Sequence, residues 1–525
     1  MDSERLWEED IYLEIKKELV QKNREYWAGK NKVTQGDKWI YVYHGMSAAQ
    51  FDWAVRENIV AKGLQEKTQL PIISVIDGYG RILPEGFDES FGISDSVHLL
   101  YNKFVDEQSE KITRETANAL AEATYKDKDG LLELEYRGIK FGDELYDYLL
   151  QKNWQKEEPT FDCFDLSKDQ YTHYIRNALS LIDHAFAMFS QRRPAYVITT
   201  EKIQLKRLFG DVARVSGADE IIILSDWPEV LVRIPSGRPQ GKKASVSDCM
   251  QAAVKYYIEH KELDIVKTNN LFVIENKGNQ GTCDLAAQLG LSKRDKNVFI
   301  LPHAFVDAPR ESYYLHFYHD YLEWFLRTLE IIKKIPDVNW IIKDHPMTAY
   351  YRQNEYIKKV FMKNKTPNMY WCDSDVSGIH IKELADCIIT CGGEAALEYW
   401  AYGVPTVTTA VTYFTGEGIS YNVASIDKYE DTLKNIANLA KPAESSMKKA
   451  RDFLVAMKQM SNCSAQNEFI NLLIDTRKIQ LGNYSLGINS DHIPVFCKGF
   501  IKLLASGAIE QSCIYRMESM CDAVL

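Results

Sequence analysis

Apolar residues recur at helical spacing among Glu and Lys from about residue 7 to 27, which predicts a surface helix with one buried stripe. Two short apolar runs follow, at 39–43 and 71–76, and each ends in small or polar residues, His44-Gly45-Met46-Ser47 after the first and Asp77-Gly78-Tyr79-Gly80 after the second. Open α/β sheets place their ligands at such strand ends. From about 107 to 165 the chain is charged, tyrosine-rich and mostly helical in pattern. A long helix is predicted over 168–191, then a strand at 195–199, a helix at 204–216 and a strand at 220–225. The second half alternates more cleanly. Strands at 298–301, 338–343, 369–371, 387–390 and 405–408 are separated by helical stretches at 318–334, 350–362, 379–384 and 394–402. Connections this short are those of βα units. The alternation predicts an α/β chain of two Rossmann-like, doubly wound halves with a boundary near 285–297. Residues 1–290 form the first domain with helical insertions and 291–445 the second. The stretch 446–525, with helical patterns at 447–460 and 467–479, packs back on them.

A length of 525 residues exceeds one hydrophobic core and agrees with two or three domains. The formal charge of −11 gives the whole molecule no attraction for a polyanion, so nucleic acid is not an expected partner. Ten cysteines are scattered without a C-x-x-C pair or zinc-finger spacing, which reads as reduced thiols of a cytosolic protein. The charged N-terminal stretch lacks the basic and apolar regions of a secretory signal, and no apolar run approaches the roughly 20 residues that span a bilayer. The expected location is cytoplasmic. A membrane-bound acceptor would be met peripherally, from the cytoplasmic face of the inner membrane.

The chemistry-bearing residues cluster in the second half. Trp340-Ile341-Ile342-Lys343-Asp344-His345-Pro346 is a buried strand that ends in a cation, a carboxylate and an imidazole, with a proline that turns the chain outward. Lys343 and His345 then sit at the carboxyl edge of the sheet, where they can neutralise charge that grows on a phosphate leaving group. Cys391-Gly392-Gly393-Glu394 joins a strand to a helix, and its two glycines let backbone N–H groups approach a phosphate. Glu398, one helical turn beyond Glu394, can face the same cleft and accept bonds from ribose hydroxyls. His303 and Asp307 follow the first strand of the second half. Together with His44 and Asp77 in the first, they are the candidate bases. Asp373-Ser374-Asp375 has a metal-nucleotide form but ends a parallel strand, and reads as loop capping. Arg192, Arg193, Arg238, Lys242 and Lys243 read as solvated loop cations, with acceptor phosphate or anionic lipid as the functional alternative.

The order V-N-W-I-I-K-D-H-P followed by T-C-G-G-E-A-A-L-E-Y-W-A-Y-G-V-P resembles the capsule polysaccharide synthesis proteins, GT-B-like transferases of bacterial surface polysaccharides. The H-A-F-V-D-A-P segment at 303–309 and the helix at 320–329 add to the likeness, which spans about 298–420. It implies a GT-B fold with two Rossmann-like domains facing a central cleft, and a glycosyltransferase that takes a nucleotide-sugar donor and a glycan or lipid-linked acceptor for capsule or lipopolysaccharide. It implies donor binding by Lys343, His345, Gly392, Gly393 and Glu398, beside which Pro346 and Glu394 are further donor-site candidates, with protein cations in place of a metal and no cofactor. Asp344 stands where such proteins commonly have proline, and Glu394 where they have a small residue or threonine. Phosphate binding therefore requires both carboxylates to face away. Alternative functions are a teichoic-acid-type polyol-phosphate transferase, a nucleotide-sugar epimerase of the same fold, and a non-catalytic assembly protein.

Overall fold

The computed structural model describes residues 10–30, 36–45, 51–76, 83–93, 95–98, 107–156, 158–200, 204–223, 231–236, 246–263, 284–292, 296–310, 314–315, 317–345, 348, 351–462, 472, 476 and 492–506. Contacts gather the chain into two compact units. The first comprises Met1–Leu145, Leu166–Cys249 and Met460–Leu525, the second Tyr146–Asp165 and Met250–Gln459. This grouping departs from a cut at residue 290 in two places: 146–165 and 250–290 both fall in the second unit.

Strands of the first unit are β1 (Lys38–His44), β2 (Ile72–Ile76), β3 (Asp95–His98), β4 (Glu135–Tyr136), β5 (Ile139–Lys140), β6 (Arg193–Thr200), β7 (Asp219–Ile223) and β8 (Leu231–Ile234). Six of them form a sheet in the order β3-β2-β1-β6-β7-β8. All its pairs are parallel except β7 with β8, which run antiparallel at that edge. β1 and β2 are buried on both faces, which is why they read as unbroken apolar runs. Ile40, Val42, Ile72, Ile198 and Ile221 share one core with Leu19, Val20 and Trp27 of the helix Asp10–Trp27 and with Phe496 and Phe500 of the helix His492–Ser506, and these two helices pack on each other. Among the described residues of 107–165 there are three helices, Glu107–Thr124, Lys128–Leu132 and Gly142–Trp154, and a hairpin of β4 and β5 that the sequence pattern did not predict. Arg137 and Gly138, with φ of 52° and 79°, form its two-residue turn.

The second unit contains β9 (Lys296–Leu301), β10 (Tyr314–Leu315), β11 (Val338–Lys343), β12 (Met369–Cys372), β13 (Cys387–Thr390), β14 (Thr406–Thr408), β15 (Ala410–Val411) and β16 (Tyr421–Asn422). β10 and β15 pair antiparallel, apart from the main sheet. That sheet, β12-β11-β9-β13-β14-β16, is parallel throughout. Trp340 and Ile342 of β11 pack with Trp324 and Phe325 of the helix Tyr321–Ile332 in its core. In both units the first strand lies centrally and the chain winds to one edge before returning to build the other. This is the doubly wound order, with a crevice at the carboxyl ends of the strands where the winding reverses. In the second unit that point lies between β9 and β13.

Candidate functional site

Three adjacent strands of the second unit deliver the site. β9 runs into His303, β11 ends at Lys343 and leads to His345, and β13 leads to Gly392 and Gly393. The imidazoles of His303 and His345 lie 6.0 Å apart, centre to centre, with their planes 29° from parallel. A Cβ added to Gly393 would lie 3.3 Å from His303 Cε1 and 3.5 Å from Nε2, so the second glycine makes room for that ring. His303 also stacks on Tyr321, at 4.7 Å and 18°. The residue is half-buried, with the ring Nε2 itself buried, and the protein around it is dense enough to govern its charge. Burial, and then the nearby His345, push the His303 pKa down to about 3. His303 is a neutral imidazole at physiological pH, with one N–H donor and one acceptor nitrogen.

The β11 turn is built by Asp344. Its carboxylate is buried and, at 2.9 Å, shares the Thr348 hydroxyl proton with the His345 carbonyl at 2.7 Å, which also accepts the Thr348 N–H at 3.1 Å. Burial raises the Asp344 pKa against the opposing pull of the Thr348 bond, the His345 N–H and the Lys343 charge. The extra negative charge in this motif is thus turned into the loop. Lys343 Nζ donates to the Ser374 carbonyl at 3.0 Å, which anchors the ammonium over the end of β12. Gln353, fully buried, ties this loop to the first: its Oε1 accepts the Phe305 N–H at 2.7 Å, and its own N–H reaches the Thr348 carbonyl at 2.7 Å.

Asp307 is exposed and accepts the Tyr351 hydroxyl at 2.7 Å. Ala308 follows with φ of 44°, a left-handed conformation in a residue that has a side chain and precedes proline. Such a backbone costs about 1–3 kcal/mol and persists only where its surroundings hold it. At the β13 end, Ala395–Ala401 is a helix of two turns, shorter than the predicted 394–402, and a helix so short brings little dipole to a phosphate. Glu394 precedes it, with Oε1 accepting the Tyr413 hydroxyl at 3.2 Å, and Glu398 is 3% exposed.

No family model matches the chain. No curated protein matches it either. Several solved structures are similar at low identity. The UDP-GlcNAc 2-epimerase from Neisseria meningitidis, bound to UDP-GlcNAc, is 10% identical, with 82% of this chain and 98% of that chain covered, at a TM-score of 0.26. A glycosyltransferase from Rickettsia africae ESF-5 is 10% identical over 84% of this chain and 99% of that one, at 0.29. KpsC, the beta Kdo 2,4 transferase of Thermosulfurimonas dismutans, is 11% identical over 50% of this chain and 79% of that one, at 0.28. At such scores these likenesses carry no argument, and the fold rests on the strand orders themselves.

The remaining candidates fall elsewhere. Asp77, Pro346, Arg238, Lys242 and Lys243 lie outside the described residues. His44, in the first unit, is buried with Nδ1 2.5 Å from Glu57 Oε2 and Nε2 3.3 Å from Asp88 Oδ1, and Asp88 also accepts from Asn58 and Ser74. Burial alone would lower its pKa, but the charges of Asp88 and Glu57 and the bonds to them prevail and raise it to about 10. A protonated imidazole has no lone pair to receive a proton, so this geometry makes His44 a structural cation rather than a base. Asp373 accepts the Trp371 indole N–H at 2.9 Å, and Arg192 lies over the Trp39 ring at 4.7 Å. Among the described residues no group of three or more His, Cys, Asp or Glu side chains could hold a metal ion, and no helix is long and apolar enough to cross a membrane. Sequence reasoning missed Tyr321, Gln353, Tyr351 and Tyr413. The one signal for them was their place just after, or one helix beyond, the recognised motifs.

Proposed function

We propose that the chain is a sugar-nucleotide enzyme of the GT-B type, a glycosyltransferase that moves a sugar from a nucleotide-sugar donor to a surface-polysaccharide acceptor, glycan or lipid-linked. The observation that carries this reading is the convergence of His303, Lys343, His345 and Gly393 at the carboxyl ends of three adjacent strands, next to the reversal point of a doubly wound sheet. In this reading Lys343 and His345 neutralise the charge that grows on the donor diphosphate as the glycosidic bond breaks. Gly392 and Gly393 let phosphate oxygens approach the backbone, and Glu394 and Glu398 meet donor hydroxyls. Neutral His303 hydrogen-bonds the phosphate without competing for its charge. Asp307, oriented by Tyr351, takes the proton of the acceptor hydroxyl. Protein cations carry the neutralisation, so the reading assigns no step to a metal.

Thermal denaturation with CMP, UDP, GDP and CDP tests it, because a ligand that binds only the folded state raises the melting temperature. One of the four is expected to raise it, and Lys343→Ala and His345→Ala are each expected to weaken that nucleotide about tenfold or more, as loss of a charge-assisted bond does. Unchanged affinity and turnover in both variants would sink the assignment. Product analysis with the matching nucleotide sugar then separates transfer to an acceptor from release of an epimerised sugar, and CDP-glycerol or CDP-ribitol tests polyol-phosphate transfer.

A further inference from the structure

The second unit includes a stretch of chain, Tyr146–Asp165, that arrives out of sequence order. Three of its side chains bond to residues that flank the site. The Tyr146 hydroxyl donates to Asp320 Oδ2 at 2.5 Å, with both side chains buried. The other oxygen of Asp320 accepts the Glu323 N–H at 2.8 Å and so caps the helix Tyr321–Ile332, whose first residue stacks on His303. Asp147, also buried, accepts the Arg310 N–H on both carboxylate oxygens, at 3.1 and 3.0 Å, directly after the left-handed Ala308 and Pro309. Trp154 Nε1 donates to the Tyr351 carbonyl at 2.6 Å, and the Tyr351 hydroxyl in turn holds Asp307.

A segment that only filled a core would do so best with apolar groups, because a buried carboxylate or phenol loses its hydration. Here each polar group instead meets a backbone or carboxylate partner linked to His303 through Tyr321, or to Asp307 through Tyr351 or the short run of chain to Arg310. Burial holds the Tyr146 phenol protonated far above the ordinary range, so it remains a donor. Stacking of Trp154 on Phe161, at 4.3 Å and 28°, fixes the far end of the segment.

We propose that Tyr146, Asp147 and Trp154 are positioning residues of the candidate site, holding His303 and Asp307 in place from a segment outside the main sequence run of their unit. They act through Asp320, Arg310 and Tyr351. The proposal rests on the reading that His303 and Asp307 belong to the site.

The test follows the His303 ring directly, in protein carrying 13C at the histidine ε1 carbons, with the signal assigned by its loss in His303→Gln. Tyr146→Phe removes one hydroxyl and keeps the ring. It is expected to move the His303 signal, to leave the His44 signal in place, and to weaken whichever of CMP, UDP, GDP or CDP binds by about fivefold, the equivalent of one lost hydrogen bond. Asp147→Asn keeps an acceptor for the Arg310 N–H and should recover most of the affinity that Asp147→Ala loses. An unmoved His303 signal in a folded Tyr146→Phe protein, with affinity in Asp147→Ala equal to wild type, overturns the proposal. Should Tyr146→Phe fail to fold, Trp154→Phe carries the test at a partly exposed position: turnover is expected to fall with KM unchanged, and unchanged turnover overturns the role of Trp154. If no nucleotide binds the wild-type protein but the His303 signal still moves, the positioning stands and the nucleotide reading fails.

Discussion

His44 and His303 stand at or just beyond the carboxyl ends of the central strands of their two sheets, and the protein holds them in opposite protonation states. Relative to an unfolded value of about 6.5, the His44 pKa is raised to about 10 and that of His303 is lowered to about 3. The signs differ accordingly. His44 contributes stability that is fully present below about pH 6.5 and is lost as pH rises through 10, because the folded state keeps a proton that the unfolded state has released. His303 opposes it: below about pH 6.5 the unfolded chain takes up a proton that the folded chain refuses until about pH 3, so its contribution is lost on acidification. Urea titrations across pH should therefore show an alkaline loss of stability that is smaller in His44→Gln. That variant should also lose about 3–5 kcal/mol at pH 6, because two buried carboxylates lose their shared cation. Equal stability of variant and wild type at pH 6 would count against the buried triad. Gly393→Ala places a methyl against His303. The expected result is a small change in melting temperature with a clear loss of nucleotide affinity, measured by titration. Strand-end histidines are legible in a sequence. Their charge states are not, because Glu57, Asp88 and His345, whose charges act on them, come from other elements.

At the scale of elements, legibility follows how locally each one is specified. The helix Lys168–Gln191 begins and ends where its pattern predicts, and a capping box fixes its start: Ser167 accepts the Gln170 N–H, and the Gln170 side chain accepts the Ser167 N–H in return. Ser167→Ala should lower stability by about 1 kcal/mol, read from chemical denaturation, and an unchanged midpoint would show that the helix start is set by packing instead. β11 and β13 were also readable to the residue, since each is an apolar run closed by a polar or glycine turn. The β4–β5 hairpin was not. Its turn depends on Arg137 at positive φ, a position that nothing in the residue type announces. The helix after Gly393 stops at Ala401, short of the predicted end, with Tyr402 outside the helix and Gly403 at φ of 83°. Asp344 illustrates the boundary between the two kinds of information. Its presence in the motif was plain from the sequence, but only the bond to Thr348 shows that its charge is turned inward.

At the scale of the molecule, contiguity in sequence and in structure diverge. Neither unit is one continuous segment, and the second takes Tyr146–Asp165 from the half of the chain that otherwise builds the first. Hydrophobic periodicity cannot reveal this, because a helix such as Gly142–Trp154 has the same pattern whichever core receives it. A fragment of residues 250–459 would leave Asp320, the Arg310 N–H and the Tyr351 carbonyl without their partners in that segment. It is expected to melt without a cooperative transition, and fusion of 146–165 through a flexible linker should restore one in calorimetry. A cooperative transition in the unfused fragment would show the segment to be dispensable for folding.

The pairing of the helix Asp10–Trp27 with the helix His492–Ser506 bears on the order of events during synthesis. Leu19, Val20 and Trp27 leave the ribosome long before Phe496 and Phe500 exist to cover them. At about 5–20 residues per second, the interval is roughly 25–100 s. Over that time the first helix has only the earlier members of the same core, such as Phe51, Ile59 and Phe91, to pack on. The first unit is therefore completed by a segment translated long after the helix it packs on, and a chain stopped before residue 492 would leave that side of the stripe open.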